Sequence, residues 1–169
     1  MTSSRSGLCC GDSSAYSVFN CAYLGLTEQE YAAYSQTAPG VSFQELLDSQ
    51  RKMQRFRVYQ LDLEHGKTRA FAFGGIDALH KAGFQQPPAA EYTLVYDGEL
   101  TCPVGQDERD ILERIFARYN QAFPPDYHGR SIAPSDVLEL YDESERRYFY
   151  CDMAGFLQVK FSPALAKKA

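Results

Sequence analysis

The last third of the chain constrains its fold most tightly. Three runs rich in β-branched and aromatic residues, SDVLELYD (135–142), RRYFYCDM (146–153) and GFLQVKF (155–161), are separated only by ESE and by Ala154, the turn AG including the first residue of the last run. A parallel crossover needs a dozen residues or more, so connections this short demand antiparallel hairpins, and the runs read as a meander. Whatever precedes them must pack against that sheet.

Upstream, RVYQLDL (57–63) alternates Tyr59, Leu61 and Leu63 against Val58, Gln60 and Asp62, the pattern of a half-buried strand. After the turn HGKT, the run RAFAFGG (69–75) reads as its hairpin partner, with Phe71 and Phe73 on one face. GGIDALHKAG has Ile76 and Leu79 three apart and a terminal glycine, which predicts a short helix with a glycine stop. YTLVYDGEL (92–100) is a further strand. In DERDILERIFARYN, residues Ile111, Leu112, Ile115, Phe116 and Tyr119 recur at helical spacing, with Asp107 as N-cap. The prolines of AFPPDYHGRSIAP enforce an irregular loop.

Two helices are predicted ahead of the first strand. LTEQEYAAYSQ pairs Thr27 with Glu30 at capping-box spacing, and SFQELLDSQRKMQRF (42–56) repeats the device with Ser42 and Glu45. The order α α β β α β α β β β has too few parallel crossovers for a doubly wound sheet. The fold class expected is α+β, a mostly antiparallel sheet of five to six strands with helices packed on one face. Residues 1–14 are expected to be a flexible N-terminus, 15–56 a helical extension, 57–161 the α+β domain, and 162–169 a frayed end.

Composition narrows the functional classes. The 169-residue chain is long enough for one domain with a true core, and 44% hydrophobic with 12 Tyr and 11 Phe is too apolar for disorder. A net charge of −5 with scattered Lys and Arg lacks the basic stripe of a nucleic-acid binder, so nucleic acid is an unfavoured partner. Five cysteines at 9, 10, 21, 102 and 151 form no C-x-x-C and leave one unpaired, which fits a reducing cytoplasm. MTSSRSGLCCGDSS lacks the apolar core of a signal peptide, and no apolar run approaches a membrane span. His65, His80 and His128 with dispersed thiols do not make a zinc site, and TRAFAFGG lacks any phosphate-binding glycine pattern, so neither metal nor cofactor is expected.

The stretch HGRSIAPSDVLEL (128–140) concentrates the reactive side chains. His128, Ser131 and Asp136, with Ser135 and Cys151 nearby in the pattern, offer a base, a nucleophile and an orienting carboxylate, the elements of a small hydrolase or nuclease. Neither a strand–turn–helix elbow nor a glycine-rich oxyanion loop accompanies them. The competing reading has Gly129 allowing an unusual backbone conformation while Ser131, Ser135 and Asp136 satisfy loop amides. The charged runs GQDERDILER and YDESERR read as solvated surface. The N-terminal rings Tyr16, Phe19, Tyr23, Tyr31 and Tyr34 read either as packing or as a partner-binding arm.

In order along the chain, VYQLDLEHGKTRAFAFGGIDALHKAGF, YTLVYDGEL, LERIFARYNQAFPPDYHGRSIAPSDVLELYD and YFYCDMAGFLQV resemble the YodL-like domain over about residues 57–161. The match is carried by Val-Tyr-x-Gly-x-Leu, a Pro-Asp-aromatic step, Gly-x-Ser-Ile-x-x-Ser-Asp-Val and a closing Asp-x-x-Gly-Phe. The resemblance implies an accessory module of integrative and conjugative elements, encoded among proteins that handle DNA or counter host defences. It implies no enzyme chemistry. Residues 1–56 fall outside it, and Arg130 stands where the family commonly shows His. On this basis the expected function is non-enzymatic protein interaction, modulating host defence or DNA-handling machinery, with Tyr127, His128 and Arg130 as the residues offered to a protein partner.

Overall fold

The computed structural model describes residues 49–64 and 66–169. The two expected N-terminal helices up to residue 48, the N-terminal aromatic residues, Cys9, Cys10, Cys21 and His65 lie outside the described residues. The elements are β1 (Arg51–Leu61), α1 (Ile76–Lys81), β2 (Tyr92–Pro103), α2 (Glu108–Gln121), β3 (Val137–Tyr141), β4 (Arg146–Asp152), β5 (Gly155–Val159) and β6 (Lys167–Lys168). Short 3-10 turns at Thr68–Ala70, Ala89–Glu91 and Pro163–Leu165 link them. The class is α+β, built on one six-stranded sheet of order β5-β4-β3-β1-β2-β6.

The meander forms as its short connections require: β3, β4 and β5 pair antiparallel, with Tyr150 opposite both Val137 and Leu157. Antiparallel β1 packs on the other side of β3, Val58 opposite Leu138. The side-chain pairs Arg57–Asp97, Arg55–Glu99 and Met53–Thr101 count upward on one strand and downward on the other, so β1 and β2 are antiparallel too. Only β6, parallel to β2 through Thr93 and Leu94, makes the sheet mixed. Residues 162–169, expected to fray, instead form a turn and this edge strand, next to the buried ring of Phe161.

Every residue of β3 is buried, which requires cover on both faces of the sheet. Phe56, Val58, Leu138, Leu140 and Phe149 pack against Ile111, Leu112, Ile115 and Tyr119 of α2. Tyr59, Leu61, Val137 and Tyr150 face the other way, onto Leu79 of α1 with Phe71 and Phe161. The expectation of helices on one face is thereby corrected: the two described helices lie on opposite faces, because odd and even residues of the central strands are both apolar. In β2 the alternation slips, since Tyr92 and Leu94 join the α1 side while the successive Val95 and Tyr96 both join the α2 side, the offset of a β-bulge.

Two further expectations are overturned. The predicted helix 42–56 gives way over Arg51–Phe56 to β1, where Gln54, Phe56 and Val58 are buried at alternate positions while Met53 is 53% exposed. RAFAFGG is not a strand: Phe71 is buried, but Phe73 adopts a left-handed φ of 59° and stands 50% exposed, and the segment is a 3-10 turn and loop. β1 pairs with β3 and β2 instead. The glycine stop of α1 holds, with Gly83 at φ +92° and Phe84 N–H donating to Leu79 O. Asp107 is the N-cap residue of α2 by position, although its side chain makes no capping bond.

Candidate functional site

The loop from Tyr127 to Asp136 is fastened at four places. His128 N–H donates to the carbonyl of Val95 at the β2 bulge, 3.0 Å. Asn120, near the end of α2, accepts from Ile132 N–H at 2.7 Å and donates to Ile132 O at 3.0 Å. Gln60 of β1 accepts from Arg130 N–H at 2.9 Å and donates to Arg130 O at 2.8 Å. Gly129 has no left-handed φ; it is needed because a Cβ there would sit 2.4 Å from Gln60 Oε1 and 2.8 Å from a Val95 methyl.

The fourth fastening is the entry to β3. Asp136 N–H donates to Ala133 O across a turn with Pro134 second and Ser135 third, and Ser135 carries φ +79°. Ser135 N–H donates to Cys151 O at 2.9 Å and Cys151 N–H to Asp136 O at 2.8 Å, so two residues oppose one. A turn with proline second and a left-handed third residue, running into a bulge, is the arrangement that usually selects glycine where Ser135 stands. The serine compensates with its Oγ, which accepts from Phe73 N–H at 3.1 Å. The two left-handed non-glycine residues of the described chain thus hold each other.

Asp136 has no solvent exposure, and its carboxylate is matched on every side. Arg130 donates from both terminal nitrogens, at 2.7 and 2.6 Å, Ala133 N–H at 2.9 Å and Gln60 Nε2 at 3.3 Å. A bidentate guanidinium is the strongest neutral-pH partner available to a buried carboxylate. Burial nonetheless pushes the Asp136 carboxyl above its ordinary range, with Arg130 pulling the other way. The guanidinium also lies over the ring of Phe73, 5.0 Å from its centroid.

The residues proposed for catalysis do not join in one side-chain hydrogen-bonded constellation, although Cys151 and Asp136 are backbone neighbours. Asp136 faces inward to Arg130, whereas His128 and Ser131 are exposed and no hydrogen bond links either side chain to Asp136 or to the other. Cys151 is buried on β4, and burial pushes its thiol well up, away from the thiolate that would attack. Of the residues proposed to meet a partner, Tyr127 is buried, its hydroxyl donating to Arg130 O at 2.8 Å, and Arg130 is engaged inward with a side chain 28% exposed. His128 is exposed, and the half-exposed ring of Phe123 stacks on its sequence neighbour Tyr127 at 4.9 Å.

Sequence reasoning missed two polar residues that organise the sheet. Gln60 is one; a glutamine continuing the Phe56–Val58 face of a strand was its only signal. Glu139 is the other, a fully buried carboxylate in the middle of β3 that accepts from Tyr59 Oη at 2.8 Å and Arg146 at 3.1 Å, with Arg57 3.5 Å away. The signal was one charge inside the apolar run VLELY. Among the described residues, no group of three or more His, Cys, Asp or Glu is placed to hold a metal ion, and no helix is long and apolar enough to cross a membrane.

A family model described as the YodL-like domain covers residues 55–161, more than half of the chain. No curated protein and no solved structure matches.

Proposed function

The chain belongs to the YodL-like domain family, and from that premise we propose that it is a non-enzymatic interaction module of a bacterial mobile genetic element, acting on host or element-encoded machinery for DNA handling or defence. The observation that carries this reading is the engagement of the loop's polar groups within the fold. Asp136, Gln60, Ser135 and Arg130 all bond inward, so the most reactive stretch of the sequence works as a brace. A braced loop presents its outer side chains in fixed positions, which lowers the ordering cost of meeting a partner. His128, Ser131 and the ring of Phe123 are outward groups, and Tyr127 lies beneath Phe123 with its hydroxyl on Arg130 O.

Affinity capture with the full chain from cells carrying the element tests the reading. The expected result is one protein retained by the wild type and lost with the pair Phe123→Asp and His128→Glu, at unchanged melting temperature. Absence of any retained protein, together with ester or nucleic-acid hydrolysis that Ser131→Ala abolishes, would overturn it in favour of a hydrolase. A gel shift weakening steeply with salt would make nucleic acid the partner instead.

A further inference from the structure

Among the described residues, the edge strand β5 lacks the charged side chains and prolines by which many soluble proteins protect a sheet edge. Its sequence GFLQV has no charge and no proline, Leu157 and Gln158 are exposed, and β4 is its sole neighbour in the sheet. Which backbone groups are open follows from the register. Cys151 turns its N–H and C=O toward β3, so Tyr150 and Asp152 turn theirs toward β5, where they meet Leu157 and Gly155. Phe156 and Gln158 alternate with those residues and point their N–H and C=O off the sheet. The open row ends at Lys160, whose N–H is already taken by Gln86 Oε1 at 2.7 Å.

Beside this edge, α2 and the β4–β5 hairpin enclose two hollows that meet at Gly155 and Phe156. One, about 310 Å³, is walled by Phe116, Met153 and Cys151; the other, about 250 Å³, by Leu112, Phe149 and Ala154. The rings of Phe116 and Phe156 stand edge to face at 6.3 Å between helix and strand. The charged lining of the two hollows is Asp107, Glu108, Glu113 and Asp152 against Arg109, which pairs with Glu113; Arg147 pairs with Glu108 from outside the lining, and the balance is still acidic. An open strand edge alongside side-chain hollows is the layout in which main-chain bonds give affinity and alternate side chains give specificity.

We propose that β5 takes up an extended basic and apolar segment of a partner protein as an added strand, its apolar side chains entering the hollows beside Phe156 and its Lys or Arg residues meeting the carboxylates. This rests on the reading of the domain as an interaction module and names a surface separate from His128. The acidic lining selects this occupant over a second copy of the chain, whose own β5 would bring the same carboxylates to the groove.

The test uses the full chain, the peptide acetyl-KVRVKV-amide and its charge-reversed counterpart acetyl-EVEVEV-amide, read by amide hydrogen exchange. In the free protein the Phe156 and Gln158 amides exchange quickly and Leu157 slowly; the basic peptide slows the first two at least about tenfold, a factor that a few backbone bonds supply. The acidic peptide leaves them unchanged. Gln158→Pro removes one outward donor and abolishes the effect, and Glu113→Lys, which leaves the strand intact, weakens peptide binding severalfold. Unchanged exchange at both amides with either peptide overturns the proposal, as does equal protection by both. Slowing that grows with protein concentration alone would make the occupant a second copy and overturn it likewise. A cellular partner retained equally by wild type and Gln158→Pro would sink the β5 groove while leaving the interaction reading intact; loss of any partner alongside peptide protection would do the reverse.

Discussion

A carboxylate without solvent exposure stays in a fold only if its oxygens are matched, and Asp136 depends on Arg130 for two of its contacts. Arg130→Met is expected to destabilise the protein by about 3–5 kcal/mol, the cost of stranding a buried charge, measured by urea unfolding. Adding Asp136→Leu should recover much of that loss, since replacing both partners removes the stranded charge; a single variant within about 1 kcal/mol of wild type would mean that the pair does not brace the loop. Ser135 separates strain from bonding. Ser135→Ala keeps the left-handed φ and removes the acceptor for Phe73 N–H, a loss of about 1–2 kcal/mol, whereas Ser135→Gly relieves the backbone and should lie close to wild type. At this scale the sequence disclosed that polar residues before a strand satisfy loop groups. It did not disclose the partners, because Gln60 and Phe73 lie more than sixty residues before the groups they bond and such pairings leave no local pattern.

Elements were legible where one local rule operated without competition. Helix α2 and the β3–β4–β5 meander follow from spacing and short turns, and α1 ends at its glycine as expected. Errors fell where tertiary pairing overrode a local signal. Arg51–Phe56 carries helical spacing yet joins the sheet, because pairing with β3 buries Phe56 and Val58 completely. RAFAFGG has strand-forming rings, but Gly74 cannot carry a Cβ, which would lie 2.5 Å from that of Ala78, and the chain turns there into α1. The C-terminal segment was misjudged because ALAKKA carries no strand-forming residue and the anchor precedes it. Phe161 sits among the rings of Tyr59, Tyr92 and Tyr148 at 5.0 to 5.6 Å. Phe161→Ala should therefore cost about 3–5 kcal/mol, read as a fall in the urea midpoint, and should speed amide exchange in the segment after it. A change below about 1 kcal/mol would show the segment to be a passive tail.

The whole domain is a sheet sandwiched between α2 on one face and α1 with its loops on the other, and tyrosines do much of the filling. Tyr59, Tyr92, Tyr127 and Tyr150 are buried on the two faces, and desolvation raises all four phenols, with Glu139 adding to the shift at Tyr59 through its hydrogen bond. The sign of the resulting pH dependence follows from linkage. A group whose folded pKa lies above its unfolded value contributes stability that is complete below the unfolded value, about 10 for tyrosine, and is lost as pH rises toward the folded one. The unfolded chain releases these protons first, so alkali draws the equilibrium toward it. The urea midpoint is expected to hold level to about pH 9 and to fall steeply above about pH 10. Phenolate absorbance should rise in two parts: a gradual one from the exposed rings, and a cooperative one coincident with the loss of far-ultraviolet circular dichroism. Gradual ionisation of every tyrosine with the fold intact would mean that water reaches these rings, and that the sheet is not sealed on both faces. Iodoacetamide provides a related check at one position, because the buried Cys151 should be alkylated far more slowly than an exposed thiol.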